Sequence, residues 1–371
     1  MHLKIIFIIK IMNKRKAEIY LLFLICLNFV SSNQFLSFLK DADSLKEAFA
    51  GKFKVGTSVS PREFSSGSDF IKKHFNSITP ENELKPDSIL DQQASQQKGN
   101  NVNPQVSFRS GTQTTLKFCE DNGIPLRGHT LVWHGQTPDW LFKENFNSNG
   151  NFVSKDIMNQ RLENFIKNTF EALASQYPKL QVYAYDVCNE VFQGGGGGIR
   201  SAQESKWMQV YGDDSYIINA FTFARKYAPS GCKLFINDFN EYMPAKTQDI
   251  YQMAMKLKDL GVIDGIGMQS HLGVDYPSAQ VYATALEKFI STGLDVQPTE
   301  LDIGHKGNEQ AQASLFKEIF SLYVKNAQHI SAVTLWGTHD SISWRDDNPL
   351  LFGPNYTPKP AYYSVMQVAG Q

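Results

Sequence analysis

Eight short β-rich runs alternate with helical segments from residue 50 to the C-terminal end of the chain. The helical segments carry apolar residues at helical spacing, as Leu162, Phe165 and Phe170 do in the segment that begins after Ser154. Strands that alternate with helices form parallel sheets, and eight such units predict a closed (β/α)8 TIM barrel of the α/β class rather than an open sheet. The predicted strands cover residues 53–59, 75–79, 124–133, 181–190, 233–237, 262–269, 295–301 and 331–337.

One barrel domain accounts for residues 33–371, because no linker or internal repeat divides them. A helix is predicted to begin at Thr247 and to end at Gly261. The Gln-, Asn- and Ser-rich stretch Gln92–Ser110 is predicted to be a loop inserted after the second strand. The five consecutive glycines Gly194–Gly198 form a second interruption, directly after the fourth strand. Both follow the C-terminal ends of strands, where barrel loops shape a substrate cleft, although the first is as well explained as surface decoration.

Two predicted strands end in a carboxylate. The apolar run that starts at Gln181 finishes with Asn189 and Glu190, and the run that starts at Leu294 delivers Glu300. The C-terminal edge of a (β/α)8 barrel carries its chemistry, and two carboxylates that face each other there are the equipment for glycoside hydrolysis. The alternative is that each carboxylate is a solvated strand end.

Polar and aromatic side chains follow seven of the eight predicted strands at this same end, which is hard to explain by packing. Tryptophan faces stack on pyranose rings, while amides, carboxylates and lysines hydrogen-bond to sugar hydroxyls. No glycine-rich phosphate motif precedes a helix, and the histidines lack metal-ligand spacing, so we expect neither a cofactor nor a metal. The residues besides the two glutamates are Glu81, Asn82, Lys85, His129, Trp133, His134, Asn189, Asn237, Asp238, Asn240, Gln269, His271, Asp302, Trp336, Asp340, Trp344 and Arg345.

Residues 1–32 have the features of a secretory signal peptide. The basic residues 14–16 precede an apolar run from Ile19 to Val30, and Ser31 and Ser32 follow as small residues at a cleavage point. A membrane anchor is the alternative, but the run is shorter than the roughly 20 residues that span a bilayer. We therefore expect a secreted, extracellular protein without stable membrane association after cleavage.

The remainder of the chain is mildly acidic. Without residues 1–32 it has 31 basic and 36 acidic residues, a net charge of −5, which gives no indication of a nucleic-acid partner. It keeps Cys119, Cys188 and Cys232, and whether any two of them pair stays open.

Six motifs resemble glycoside hydrolase family 10, the endo-1,4-β-xylanase family, in order and spacing, and the resemblance covers about residues 45 to 368. Two further motifs, at 349–352 and 358–363, extend it to the C-terminus. The six are TPENELK at 79–85, RGHTLVWH at 127–134, DVCNE at 186–190, QSH at 269–271, TELD at 299–302, and the segment from Trp336-Gly337 to Ser343-Trp344-Arg345.

The resemblance implies a retaining endo-1,4-β-xylanase on a (β/α)8 barrel. It makes Glu190 the acid/base and Glu300 the nucleophile, with Asn189 bonded to the 2-hydroxyl of the cleaved sugar and His271 and Asp302 supporting Glu300. Glu190 is then expected to hold a proton while Glu300 is ionised. The binders implied on the glycone side are Glu81, Asn82, Lys85, His129, Trp133, Gln269, Trp336 and Trp344.

Three features depart from the family pattern. Pro86 and Tyr185 stand where many members carry Trp, and the five glycines are unusual on the aglycone side. The prediction is a monomeric, secreted xylanase that acts on xylan and xylo-oligosaccharides. The alternatives are a β-1,4-glucanase or mixed xylanase/cellulase on the same barrel, and a non-catalytic polysaccharide-binding protein, which would have lost one carboxylate.

Overall fold

The computed structural model describes residues 43–369, and the predicted signal peptide lies outside them. Eight parallel strands form one sheet in the order β7-β6-β5-β4-β3-β2-β1-β8. Bridges from Val296 to Ile330 and from Leu301 to Leu335 join its two outer strands, which confirms the predicted (β/α)8 barrel. The strands are β1 Lys54–Val59, β2 Ser77–Pro80, β3 Leu126–Trp133, β4 Val182–Asn189, β5 Lys233–Asp238, β6 Gly265–Met268, β7 Asp295–Pro298 and β8 Ala332–Leu335.

Twelve α-helices occur in residues 43–369, and the longer ones cover the outside of the barrel. Ser154 caps its helix as predicted, because its hydroxyl accepts a hydrogen bond from the Ile157 N–H. The helices are α1 Leu45–Ala48, α2 Ser68–His74, α3 Pro86–Ile89, α4 Gln92–Gln97, α5 Ser110–Asn122, α6 Lys155–Gln176, α7 Lys206–Tyr211, α8 Ser215–Tyr227, α9 Pro244–Asp259, α10 Ala279–Ile290, α11 Glu309–Lys325 and α12 Pro360–Ala369.

Several predicted boundaries were wrong. Helix α9 begins at Pro244 rather than Thr247, because proline suits the first helical position and the Thr247 hydroxyl instead donates to the carbonyl of Glu241 at 2.6 Å. The sixth and seventh strands are shorter than predicted, at Gly265–Met268 and Asp295–Pro298.

The stretch Gln92–Ser110 is not a simple loop. It contains helix α4, which Asp91 caps by accepting a hydrogen bond from Ala94, and the pair Leu90–Asp91 and Gln105–Val106 is antiparallel. The Gln-, Asn- and Ser-rich composition predicted a loop, and it did not reveal that Asp91 caps a helix here.

A buried charged layer lies inside the barrel beneath its mouth. The Arg127 guanidinium makes two hydrogen bonds of 2.5 Å to the Asp186 carboxylate and one of 2.9 Å to Gln297. Asp186 also contacts His129 Nδ1 at 2.8 Å. Buried polar groups need such partners, and the layer holds His129 at the floor of the mouth.

The core between barrel and helices contains the three cysteines of the described residues, all buried and unpaired. Tyr185 fills this layer and meets the Phe170 ring at 5.3 Å in an edge-on contact. No helix within residues 43–369 is long and apolar enough to cross a membrane.

Candidate active site

Glu190 lies one residue past the end of β4, where the backbone turns sharply. Its φ of 53° is in the left-handed region, and its N–H donates to the Asn237 carbonyl at 2.9 Å. The turn directs the carboxylate into the mouth, where Oε2 accepts a hydrogen bond from Trp133 at 3.0 Å and Oε1 accepts one from Gln269 at 3.1 Å. Two adjacent donors therefore fix the orientation of this carboxylate.

Glu300 follows β7 and is buried. Its Oε1 accepts a hydrogen bond from Asn237 Nδ2 at 2.8 Å, and its Oε2 lies 3.2 Å from His271 Nε2. Burial by itself raises the pKa of Glu300, but the hydrogen bond from His271 and nearby positive charge outweigh it and hold the pKa below its ordinary value of 4.5. Glu300 is thus an ionised carboxylate, as a nucleophile requires.

His271 connects Glu300 to a second carboxylate. Its Nδ1 lies 2.9 Å from Asp302, which is fully buried and also accepts hydrogen bonds from Trp344 at 2.9 Å and Arg345 at 2.7 Å. Burial by itself lowers the pKa of His271. The charge and hydrogen bond of Asp302 outweigh burial and raise the pKa to about 10. A cationic His271 donates from both ring nitrogens, one to each carboxylate.

A network of three amides links the two glutamates. Asn237 Nδ2 donates to Glu300 and, at 2.9 Å, to Asn189 Oδ1, which also accepts from Gln269 at 3.1 Å. Because the Asn189 oxygen accepts both bonds and its nitrogen has no partner within residues 43–369, that nitrogen is free to donate to a ligand. The side chains of Asn237, Asn189 and Gln269 thus form a continuous hydrogen-bonded path from Glu300 to Glu190.

The mouth opens into a cleft of about 580 Å³. It brings together Glu190, Glu300, Asn189, His271 and all eight residues that the sequence predicts as substrate binders, whereas Asp302 lies behind His271. The predicted binders that line it are Glu81, Asn82, Lys85, His129, Trp133, Gln269, Trp336 and Trp344.

Lys85 organises the end of the cleft next to β2. Its ammonium donates to Asn82 and Gln136, each at 2.9 Å, and lies 4.9 Å from the centre of the Trp133 ring. Burial lowers the pKa of Lys85 and raises that of Glu81. A cation, an amide and a carboxylate beside an indole are well suited to bind the hydroxyls and apolar face of one sugar.

Two of the aromatic residues differ in exposure. Trp336 is buried against His129, with an edge-on contact of 5.5 Å, whereas Trp344 is 59% exposed although its indole N–H is anchored on Asp302. The first therefore forms the floor of the cleft and the second a rigid wall at its rim.

Sequence reasoning missed Gln136 and Phe239, and it placed Asn237 and Asn240 at the mouth without assigning a contact to either. Gln136, Phe239 and Asn240 line the cleft, and Asn237 is the donor to Glu300. Asn237 and Asn240 were visible as polar residues at a strand end, but no pattern indicated which of them reached the carboxylate. Gln136 lies in the loop after β3 and has a positive φ of 38°, which no sequence pattern indicated.

Comparison with known proteins relates this site to polysaccharide-degrading enzymes. The model of glycosyl hydrolase family 10 matches residues 44–368. The bifunctional endo-1,4-β-xylanase XylA of Ruminococcus flavefaciens is 66% identical over 329 residues, which cover 88% of this chain and 34% of that protein. Endo-1,4-β-xylanase Y of Acetivibrio thermocellus is 43% identical and is covered to 32%. The chain thus spans about a third of the length of these relatives.

A solved structure shows the same architecture. The CBM22-1–GH10 modules of endo-1,4-β-D-xylanase 10B from Clostridium thermocellum, complexed with xylohexaose, align with a TM-score of 0.82 at 42% identity. The alignment covers 88% of this chain and 67% of that one.

Proposed function

The chain belongs to glycosyl hydrolase family 10, and on this basis we propose that it is a retaining endo-1,4-β-xylanase that hydrolyses internal bonds of xylan and xylo-oligosaccharides. The observation that carries the proposal is the pair Glu190 and Glu300 at one barrel mouth, linked by the amides of Asn189, Asn237 and Gln269. Relatives named as endo-1,4-β-xylanases at 66% and 43% identity support the substrate class.

In the first step Glu300 attacks the anomeric carbon while Glu190 gives its proton to the leaving oxygen, which forms a covalent glycosyl ester on Glu300. In the second step Glu190 removes a proton from water, the water attacks the same carbon, and the ester bond to Glu300 breaks. Retaining enzymes need about 5 to 5.5 Å between the two carboxyl groups, whereas inverting enzymes leave room for a water. The proposal therefore requires the Glu190 and Glu300 carboxyl groups to lie within this shorter range.

The neighbouring groups have matching roles in this scheme. Cationic His271 and Asn237 hold Glu300 ionised and oriented, while the free Asn189 nitrogen donates to the 2-hydroxyl of the sugar under attack. Lys85, Asn82 and Glu81 bind the sugars on the glycone side. No step requires a metal or cofactor.

We expect xylan to be favoured over cellulose because side chains at the rim of the cleft restrict the space beside the cleaved bond. A glucan carries an additional hydroxymethyl group on every ring, and the anchored wall of Trp344, together with Gln269, crowds the space beside the cleaved bond. A β-1,4-glucanase is the second candidate, since the same two carboxylates would cleave its substrate.

The product and substrate together test this proposal. New reducing ends are measured side by side on xylan and on a soluble cellulose derivative, with Glu300→Ala as the inactive control. Proton NMR of the first product should show the β-anomer. Equal rates on both polymers would favour the glucanase, and initial release of the α-anomer would exclude the double-displacement mechanism.

We further propose that residues 1–32 are removed as a signal peptide and that residues 33–371 form a monomeric, extracellular enzyme. The basic-then-apolar composition of residues 14–30 supports this.

A further inference from the structure

The five glycines fold into a tight turn directly after Glu190. Phe192 and Ile199 pair as an antiparallel bridge, and the Gln193 N–H donates to the Gly198 carbonyl at 3.0 Å. Three residues of the turn, Gly196, Gly197 and Gly198, have φ values of +84°, +97° and +109°. Such backbone angles are accessible to glycine and strained for other residues, so the turn depends on its composition.

The turn is fastened to the first part of helix α9. The N–H groups of Gly197 and Gly198 both donate to one carboxylate oxygen of Asp249, at 2.7 and 2.9 Å. At Gly196 a β-carbon would lie 2.3 Å from the backbone nitrogen of Lys246, whereas at Gly195 it would meet nothing within 4 Å. The close packing against α9 therefore leaves no room for a side chain at Gly196, whereas Gly195 has open space beside it.

Lys246 joins the turn to the end of β5. It is fully buried and donates to the carbonyls of Phe192 at 3.3 Å and Gln193 at 2.9 Å, while it pairs with Asp238 at 2.8 Å. Its ammonium also lies 4.5 Å from the centre of the Phe239 ring. A buried cation with four partners holds these groups in one arrangement.

Phe239 and its neighbour Asn240 also contact the turn, at Gly194. Asn240 Nδ2 donates to the Gly194 carbonyl at 3.0 Å, and a β-carbon on Gly194 would lie 3.6 Å from the Phe239 ring. Both Phe239 and Asn240 line the cleft. They follow β5, three strands away from β2 and Lys85, and because the proposed function puts the glycone sugars at Lys85, it puts Phe239 and Asn240 on the leaving-group side.

We propose that Asp249 and Lys246 are positioning residues for the leaving-group half of the cleft, and that they act by holding the Gly194–Gly198 turn against α9. The ligand that benefits is the xylosyl unit beyond the cleaved bond, which contacts Phe239 and Asn240. This inference rests on the proposed xylanase activity, and it explains which residues position the contacts to the leaving-group sugar.

Two substrates separate this role from a general effect on folding or chemistry. Xylotetraose places sugar on both sides of the cleaved bond, whereas β-xylobiosyl fluoride has a leaving group too small to reach Phe239. The test variants are Asp249→Ala, which removes the acceptor of the turn, and Gly196→Ala, which forces the turn off Lys246. The matched controls are Asp259→Ala on the same helix and Gly195→Ala in the same turn.

The test variants should lose about three- to tenfold in kcat/KM on xylotetraose, the range for a partly displaced aromatic contact, and nothing on the fluoride. Both controls should match the unmodified enzyme on both substrates. Thermal unfolding checks that each variant folds, and if Gly196→Ala does not, Asp249→Ala at its half-buried site carries the test alone.

An equal loss on both substrates, or no loss on either, would overturn the proposal. Failure of the unmodified enzyme to hydrolyse either substrate would instead refute the xylanase activity and this inference with it.

Discussion

Replacing His271 by Gln should raise the pH at which the enzyme loses activity in acid. The ring nitrogen Nε2 lies 3.2 Å from Glu300, and the positive charge of His271 helps to hold the pKa of that carboxyl below its ordinary value. A glutamine retains a hydrogen-bond donor but has no charge. The burial of Glu300 is then opposed by His129 and by hydrogen bonds but no longer by the charge of His271, so the pKa of the carboxyl should rise.

The size of this effect follows from the separation of the charges. An opposite charge within about 4 to 6 Å lowers a carboxyl pKa by about 1 to 3 units, and each unit corresponds to about 1.4 kcal/mol. The acid limb of kcat/KM reports the free enzyme, in which Glu300 must be ionised. His271→Gln should therefore move that limb upward by about 1 to 3 pH units.

The assay is kcat/KM for an aryl xylobioside as a function of pH, with Asp302→Asn as the matched variant. Removing the Asp302 charge lowers the pKa of His271 from about 10, yet the ring beside ionised Glu300 keeps its proton in the acid range. The acid limb of Asp302→Asn should not rise. An unchanged limb in His271→Gln, or an equal rise in Asp302→Asn, would refute the electrostatic role of His271.

Three further predictions concern the rim, the N-terminus and the buried carboxyl of Glu241, which follows β5 and accepts hydrogen bonds from Ser270. Trp344→Ala should narrow the preference for aryl xylobiosides over aryl cellobiosides by about tenfold, while Tyr363→Ala, at another exposed aromatic outside the cleft, should not; an unchanged ratio would exclude the steric explanation. N-terminal sequencing of secreted protein should start shortly after Ser32, and an intact Met1 or Met12 on membrane-bound protein would contradict cleavage. Burial raises the pKa of Glu241 to about 7, so the native state binds a proton more tightly than the unfolded chain and the free energy of unfolding falls as pH rises from about 4.5 to about 7. In Glu241→Gln this fall should be smaller, as urea unfolding at both ends of the window would show, and an equal fall would assign the dependence to other groups.

The residues that were predictable from sequence are those whose place follows from the periodicity of a barrel. Parallel strands collect their C-terminal ends at one mouth, so Glu190, Glu300 and Gln269 were predicted there without knowledge of any contact. The same logic identified β4 as the strand that ends at the chemistry.

Contacts beyond the strand ends were not predictable in this way. After β4, β5 and β6 the chain leaves the sheet through left-handed residues, Glu190, Asn240 and Ser270, with φ values of 53°, 53° and 62°. Such turns break the alternation that tells which side a residue faces. Phe239 was missed for this reason, and Gln136, which follows β3, is itself left-handed with a φ of 38°. The donor role of Asn237 emerged only from its distance to Glu300.

The roles of the two carboxylates are tested most directly by Glu190→Ala with a dinitrophenyl xylobioside and azide. This leaving group needs no proton, so the glycosyl ester on Glu300 should still form, and azide should then attack it in place of the water that Glu190 would activate. The predicted product is the xylobiosyl azide of β configuration, released faster than the free sugar forms without azide. An α-azide, or the absence of both an initial burst and azide rescue, would contradict Glu190 as acid/base and Glu300 as nucleophile.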